Sequence, residues 1–447
     1  MDLGRRLCYA ASMPRDIAHR FFLQTLGCKV NQYESRALAE AWERAGLLPA
    51  ATPDQADLVV LCTCTVTARA EAESRRLTRG LVREAAPGAR VVVTGCAAAV
   101  KPQVFAGLGA IPVPDKAALA RCPLAPPVGP ADPAYPDLAV SGYDRARALL
   151  KIEDGCSHGC AFCIVPTARG PSRSRPVADI LAEARRLAAA GHGELGLTGI
   201  NLGHFGRDLS PALTLWDLVA LLDKELGCLP QGSVRLRLGS LDPAVLTEQG
   251  VDVLSRSRLV CPHLHISLQS GDPGVLTAMG RRATDVRAVS FFVDKISRVW
   301  PRFGLGLDLL AGFPGETEAA FAATAAVLTE LPLTHAHVFP YSQRPGTRAA
   351  TMPGQLPREV KAARAAKLRE LARDKASRFR AAMAADGDAV TVALEGGRPA
   401  GGTCGQYVDC RFTAEPPGRP GVLVRARVVG SDDAVLLVTP EKEADRP

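Results

Sequence analysis

The chain has 447 residues, 47% of them hydrophobic and 22% charged, with a formal net charge of +8. Such a length holds about three ordinary domains, and the composition is that of a globular protein rather than a disordered one. No apolar run reaches the roughly 20 residues of a helical membrane span, and the basic balance is compatible with a polyanionic partner without demanding one.

The opening MDLGRRLCYAASMPRD carries an arginine pair with no apolar stretch behind it, so it does not read as a secretory signal. It is expected to be a disordered leader, or an over-long start with Met13 as the true initiator, and the cytoplasm is the expected compartment. From residue 19 to about 110, the runs FFLQTL (21–26), DLVVL (57–61) and RVVVT (90–94) alternate with helical stretches, which predicts an open parallel α/β domain. Residues 111–136 are proline-rich and read as a linker. From 147 to about 350 six strand candidates follow: ALLKIEDG, ELGLTGIN, VRLRLGS, HLHISLQS, LGLDLLAGF and HAHVFPYS. Six such units predict a partial or full (β/α) barrel with its chemistry at the carboxyl strand ends. Residues 358–380 then carry nine Lys/Arg against three acids. This helix suits either a solvated face packing through Leu368, Leu371 and Phe379, or an RNA-facing role. From about 386, short strands broken by Gly and Pro predict a small all-β barrel. The expected domains are therefore 19–130, 140–375 and 380–445.

Thirteen cysteines are many for such a chain. Disulfide frameworks belong chiefly to small secreted domains, so the clustered cysteines point to metal or redox chemistry. Cys8, Cys122, Cys228 and Cys261 are scattered and read as plain thiols. In DGCSHGCAFCIVPTARG, Cys156, Cys160 and Cys163 stand at C-x3-C-x2-C spacing, which forces three sulfurs into one small volume. A [4Fe–4S] cube normally takes four cysteines, so three leave one iron open to a chelating ligand. A zinc knot is the competing reading, but only His158, inside the loop, offers a fourth ligand nearby.

A second constellation lies upstream. Cys28, Cys64 and Cys96 each fall two or three residues past the last apolar residue of a predicted strand, and turns at the carboxyl ends of parallel strands converge on one spot. Cys62 competes with Cys64, but its offset keeps it inside the strand.

These motifs resemble the radical S-adenosylmethionine (SAM) methylthiotransferase family. Cys156, Cys160, Phe162 and Cys163 match the radical SAM signature; TLGCKVNQYES, LCTCTVT and VVTGC match the family's N-terminal motifs. RLRLGSLDP, HLHISLQSG with MGRR, DLLAGFPGET and HVFPYSQRPGT agree as well, so the match spans about residues 19–350 and, more loosely, the rest to 445. Cys62 replaces a more usual Asn, and Gly239 and Asp242 depart from a serine and a glutamate. The resemblance implies two [4Fe–4S] clusters, one on Cys156, Cys160 and Cys163 and an auxiliary one on Cys28, Cys64 and Cys96. It also implies SAM as cofactor, and a glycine–glutamate strand end (Gly193, Glu194) contacting the SAM amino group. In this family one SAM methylates a sulfur held at the auxiliary cluster, and another yields a 5′-deoxyadenosyl radical that abstracts the substrate hydrogen.

GCKVNQYES looks like the branch acting on N6-threonylcarbamoyladenosine-37 of tRNA. The alternatives are isopentenyladenosine-37, a ribosomal-protein side chain, or, from another class, a non-catalytic RNA-binding iron–sulfur redox sensor. The expected partners are the tRNA anticodon loop, single-stranded and so readable by splayed bases, and an electron donor such as a flavodoxin or ferredoxin; no membrane is expected. The C-terminal segment resembles a TRAM-like RNA-binding module whose charge would track phosphates, although it has few aromatics beyond Tyr407 and Phe412. The bland alternative is a domain that only packs on the barrel.

Overall fold

In the computed structural model, which describes residues 19–125, 138–396, 400–432 and 434–441, the first three apolar runs form β1 (Arg20–Thr25), β2 (Leu58–Thr63) and β3 (Arg90–Gly95). The leader with Met13, Cys8 and residues 126–136 of the proline-rich stretch lie outside the described residues; the earlier part of that stretch is not a linker, since Ile111–Pro112 pairs in the first sheet and the helix Lys116–Arg121 buries Leu119 in its core. β1, β2 and β3 pair in parallel, and the two-residue strands Leu48–Pro49 and Ile111–Pro112 complete a five-stranded sheet. Parallel pairing requires long crossovers, and α1 (Lys29–Arg44) and α2 (Ala68–Glu84) supply them. Period-two alternation sends Leu58, Val60 and Cys62 into a core with Phe21, Leu38 and Trp42. It sends Val59 and Leu61 into another with Leu81, Val93 and Phe105. Burial of both faces leaves the strand ends as the place where polar and ligating groups can gather.

The chain divides into two compact units. Residues up to Ser141, with Asp154–His158 and Cys163–Arg173, form one; Gly142–Glu153, Gly159–Phe162 and everything from Ser174 form the other. The second unit holds six parallel strands: β4 (Arg147–Lys151), β5 (Glu194–Thr198), β6 (Arg235–Arg237), β7 (His263–Gln269), β8 (Gly304–Ala311) and β9 (His335–Pro340). β4, β5 and β6 make one sheet. β7, β8 and β9, joined by Ser240–Leu241, make another, and a single Leu236–Val260 bridge leads from β6 toward β7. Among the described residues no pairing closes β9 onto β4, so the barrel is partial. Its outer layer buries Leu187, Leu222, Ile296 and Leu328 from the crossover helices against Leu150, Leu197, Ile266 and Leu307 of the strands.

The basic stretch is a 28-residue helix, α3 (Arg358–Ala385). Leu368 is fully buried on the barrel, Leu371 packs partly against it, and Phe379 packs against the module that follows. Several of its cations are held down. Arg364 bonds Glu316 and Glu318, Arg369 donates to the Val338 carbonyl, and Lys375 donates to the Thr329 and Leu331 carbonyls. Residues Ala389–Pro440 then form a closed five-stranded barrel around Val392, Leu394, Phe412, Val424 and Val438. No helix among the described residues is long and apolar enough to cross a membrane.

Candidate metal centres

The three strand ends of the first sheet present the three expected thiols. Cys28 caps the start of α1, Cys64 follows β2, and Cys96 opens a short helix directly after β3. The turns that carry them require glycine: Gly27 has φ +103° and Gly95 φ +88°, and a Cβ on Gly95 would lie 2.6 Å from the Thr63 carbonyl oxygen. A Cβ on Gly27 would stand 3.0 Å from Cys64 Sγ, so the first turn lies against the second thiol. Burial pushes the Cys64 thiol up, and the neighbouring Cys96 and Cys28 add to that shift, as expected of three sulfurs sharing one site. Cys62 sits in β2 within the Trp42 core, fully buried, and burial raises its thiol too. The turn therefore gathers Cys64, not Cys62, with Cys28 and Cys96.

Soft thiolate donors suit iron–sulfur clusters or zinc. A single zinc ion with bonds of about 2.3 Å would draw its sulfurs within roughly 4 Å of one another. Among the described residues, the side-chain sets whose ligand atoms all fall within 4.8 Å are made of histidines and Asp308, and this thiol set is not among them. The wider spacing fits a polynuclear cube. A buried polar network surrounds the thiols. Asn31 Nδ2 donates to the carbonyls of Leu26 (2.7 Å) and Thr63 (3.0 Å), just before the first two thiols. Lys116 pairs with Glu34. Arg169 Nε donates to Cys96 Sγ at 3.2 Å.

The downstream thiols lie on the loop that follows β4. The Cys156 amide donates to the Gly170 carbonyl (3.0 Å), Cys156 Sγ accepts from the His158 amide, and Cys163 Sγ accepts from the Val165 amide, each at 3.4 Å. Amide donation of this kind stabilises cluster-bound thiolates. Cys160 Sγ receives Arg281 Nη1 at 3.7 Å, and Arg281, only 5% exposed, also donates to Asp242 Oδ2 (3.0 Å) and the Ser267 carbonyl (2.8 Å). Asp242, which departs from the family pattern, thus still anchors a cation at the thiol. The Ala161 amide donates to the Met279 carbonyl and the Ala161 carbonyl accepts from the Ala349 amide, while Phe162 packs against the cluster that contains Met279, Phe313 and Tyr341. Phe162 packs the loop in this geometry, and the three thiols are the donor set that would hold a [4Fe–4S] cube by three of its irons, leaving the fourth for SAM.

The expectation for Gly193 and Glu194 is corrected. They stand at the amino-terminal start of β5, not at its carboxyl end, and the Gly193 amide donates to the Gly421 carbonyl at 2.7 Å. The Glu194 carboxylate accepts from Arg235 Nε (2.7 Å), Arg237 Nε (2.6 Å) and Arg237 Nη2 (2.9 Å). Burial works against ionisation, but Arg237 and Arg235 win and lower the carboxyl to about 2. A carboxylate held by two guanidinium groups at the start of the strand is committed to them rather than to a cofactor at the carboxyl strand ends. The carboxyl end of β5 instead runs Gly199–Asn201, where the Ile200 and Asn201 amides donate to Glu153 Oε2 at 2.8 and 2.9 Å.

The sequence reading also passed over the barrel lumen, although its alternating HLH and HAH runs on two strands carried the signal. His265 Nε2 meets Asp308 Oδ1 at 2.8 Å and His337 Nδ1 meets the same oxygen at 3.1 Å, while Ser240 Oγ donates to Oδ2 at 3.0 Å. Burial opposes the charge on Asp308, yet the two histidines hold its carboxyl well below the usual range. His265 Nδ1 and His335 Nε2 lie 3.0 Å apart, and burial together with the neighbouring His265 and His337 pushes His335 down to about 3. Gly306 makes room for the pair, since a Cβ there would stand 2.1 Å from His335 Nε2.

The two aromatics noted in the C-terminal segment are both taken up in packing. Phe412 fills the core of the small barrel. Tyr407 packs its ring on His263 and His335, with centroids 4.6 and 5.3 Å apart, below the Arg237 guanidinium. Arg235 and Arg237 further donate to the carbonyls of Thr403, Cys404 and Gly405, so the small barrel is fastened to the floor of the large one.

A partial parallel barrel followed at its first strand by a C-x3-C-x2-C thiol loop defines the class of radical SAM enzymes. Residues 150–328 match the Radical SAM superfamily model, and residues 20–110 match the uncharacterized protein family UPF0004. The chain is 34% identical over 372 residues (80% of this chain, 83% of the relative) to the threonylcarbamoyladenosine tRNA methylthiotransferase MtaB of Thermotoga maritima. It is 33% identical over 438 residues (92% and 85%) to the tRNA-2-methylthio-N(6)-dimethylallyladenosine synthase of Mycobacterium bovis. Its fold resembles that of the radical SAM methyltransferase TsrM from Kitasatospora setae, with a TM-score of 0.55, 17% identity and coverage of 75% of this chain and 77% of that one. The chain belongs to the radical SAM methylthiotransferase family. It is an enzyme, a transferase whose chemistry uses SAM and [4Fe–4S] clusters.

Proposed function

We propose that the protein inserts a methylthio group at C2 of N6-threonylcarbamoyladenosine-37 in the tRNA anticodon loop, drawing electrons from a flavodoxin- or ferredoxin-type donor in the cytoplasm. The observation that carries this reading is the pairing, in one chain, of the 156–163 thiol loop with three further thiols on the strand ends of a separate sheet. A SAM methyltransferase or lyase needs only the first; a sulfur-inserting enzyme needs a second place to hold sulfur. Bound there, the clusters and SAM supply the radical and the sulfur.

The chain's own residues do the rest. Cys156, Cys160 and Cys163 hold one cluster, with the loop amides and Arg281 fixing their sulfurs; Cys28, Cys64 and Cys96 hold the other. Glu153 orients the Gly199–Asn201 turn at the carboxyl end of β5, the end where barrel enzymes collect cofactors, and this turn replaces Gly193 and Glu194 as our candidate SAM contact. Exposed Arg411, Arg425 and Arg427 on the small barrel would meet tRNA phosphates by charge alone, since its aromatics are taken.

The substrate assignment rests on the GCKVNQYES motif and on the similarity to the Thermotoga relative. The similarity to the Mycobacterium relative supports a second reading, isopentenyl-type adenosine-37. Mass-spectrometric analysis of tRNA nucleosides from cells with and without the gene separates the two. Loss of 2-methylthio-N6-threonylcarbamoyladenosine is expected; loss of the isopentenyl derivative alone would favour the second reading, and no change in either would sink both.

A further inference from the structure

Arg169, six residues past the last thiol of the loop, has a side chain only 6% exposed. A guanidinium carries five N–H donors in a fixed fork, and all five have acceptors. Nε donates to Cys96 Sγ (3.2 Å), Nη1 to Glu34 Oε1 (2.8 Å) and Asp154 Oδ1 (2.8 Å), and Nη2 to Asn31 Oδ1 (2.8 Å) and Glu34 Oε2 (3.1 Å). Two carboxylates and one sulfur converge on this cation, with Lys116 as the second positive charge on Glu34. Asn31, held by the same fork, ties down the carbonyls of Leu26 and Thr63 beside the first two thiol turns. Asp154 lies two residues before Cys156, and Arg169 itself lies six after Cys163. One guanidinium therefore grips a strand-end thiol and both flanks of the thiol loop.

We propose that Arg169 is a positioning residue for the auxiliary cluster: its Nε–H bond to the Cys96 sulfur, aimed by Glu34, Asp154 and Asn31, raises that cluster's reduction potential. The inference rests on the reading of Cys28, Cys64 and Cys96 as cluster ligands. Its physical basis is general: a hydrogen bond and a buried positive charge at a ligand sulfur favour the reduced, more negative state. A lysine offers a point charge with three donors and cannot aim a planar fork at five acceptors.

The test uses full-length protein carrying Cys156→Ala, Cys160→Ala and Cys163→Ala, anaerobically reconstituted so that only the auxiliary cluster contributes signal. In that background Arg169→Lys and Arg169→Gln are expected to keep about four irons per chain while the midpoint potential, read by EPR, moves to more negative values. Removal of a partner beyond the ligands typically lowers metal affinity about 10–100-fold, so cluster loss to a chelator should also quicken. An unchanged potential with iron retained would overturn the proposal, because a merely structural arginine would move the melting temperature and not the potential. Should the variants fail to fold, the unaltered Arg169 in the same background, labelled with 15N-arginine, gives a second readout. A nitrogen coupling to the reduced cluster is expected in pulsed EPR, and its absence would equally overturn the proposal. Cys96→Ala distinguishes the two levels of failure: retention of all iron there would sink the ligand reading itself.

Discussion

The two thiol sites are built on opposite principles. Cys28, Cys64 and Cys96 come from segments up to 68 residues apart and meet because a buried parallel sheet fixes where its strands stop. Cys156, Cys160 and Cys163 come from eight consecutive residues and meet because the loop is short. The first site inherits its geometry from a core, the second from its own spacing. Each nevertheless has one thiol beside a buried arginine, Arg169 at Cys96 and Arg281 at Cys160. Local spacing brings sulfurs together; a remote cation is what holds one of them in place.

The sharpest break of this comparison is the loss of either thiol set. Alanine at Cys156, Cys160 or Cys163 is expected to abolish formation of 5′-deoxyadenosine from SAM and reductant. Alanine at Cys28, Cys64 or Cys96 is expected to leave that cleavage intact and to abolish the methylthio product, as read by chromatography of both species. A smaller effect is expected at Arg281: with all six ligand cysteines intact, Arg281→Gln should slow SAM cleavage about 10–100-fold, and a separate iron count in the Cys156, Cys160, Cys163 triple-alanine background should show the auxiliary iron unchanged.

Acid should separate the second unit from the first by its buried titrating groups. His335 is neutral in the fold and pushed down to about 3 from 6.5, so the unfolded chain binds the extra proton and stability falls as the pH drops below about 6.5. Glu194, lowered to about 2 from 4.5, acts in the same direction in a lower window, its contribution lost as the pH falls from about 4.5 toward 2. Urea unfolding followed between pH 7.5 and 5.5 should lose up to about 1.4 kcal/mol per pH unit from His335, and His335→Gln should flatten that slope. Smaller again is Cys62→Ala, which should keep the auxiliary iron and cost about 1–2 kcal/mol of stability by trimming a packed core. The smallest is Arg425→Ala with Arg427→Ala. Both cations pair with the largely buried Glu441, so stability should fall by about 1 kcal/mol, while the salt dependence of tRNA binding should weaken by about one unit of log–log slope per lost phosphate contact.

Much of the architecture was legible because its signals are local. Strand-like runs of five to nine residues gave every main strand of the three parallel sheets, and counting past Leu61 sufficed to set Cys64 in the turn and leave Cys62 in the strand. The barrel's openness was not legible, since closure depends on whether β9 reaches β4 and no residue pattern records it. Gly193 and Glu194 were misplaced because ELGLT reads equally well with its glutamate at either edge of a strand; the ion pairs that settle its end come from Arg235 and Arg237, about 40 residues on. Arg169 and Arg281 escaped notice for the same reason, lying 73 and 121 residues from the sulfurs they touch. Tyr407 carries no sequence signal for its role, and only packing reveals it as a partner of His263 and His335.

The turn Cys404–Tyr407 has a practical consequence for dissecting this enzyme. With Gln406 O where a Cβ on Gly304 would stand 2.0 Å away, and with Arg235 bonded to the Thr403 carbonyl and Arg237 to those of Cys404 and Gly405, the C-terminal module closes over the amino-terminal ends of β6 and β8. Cutting the chain ahead of Ala389 would uncover those strand ends and strip two buried cations of their carbonyl acceptors. A truncated protein would expose that end of the barrel to solvent, so a loss of RNA binding in it could not be separated from damage to the barrel. Point changes on the outer arginines, not deletion, are the way to weigh RNA affinity apart from catalysis.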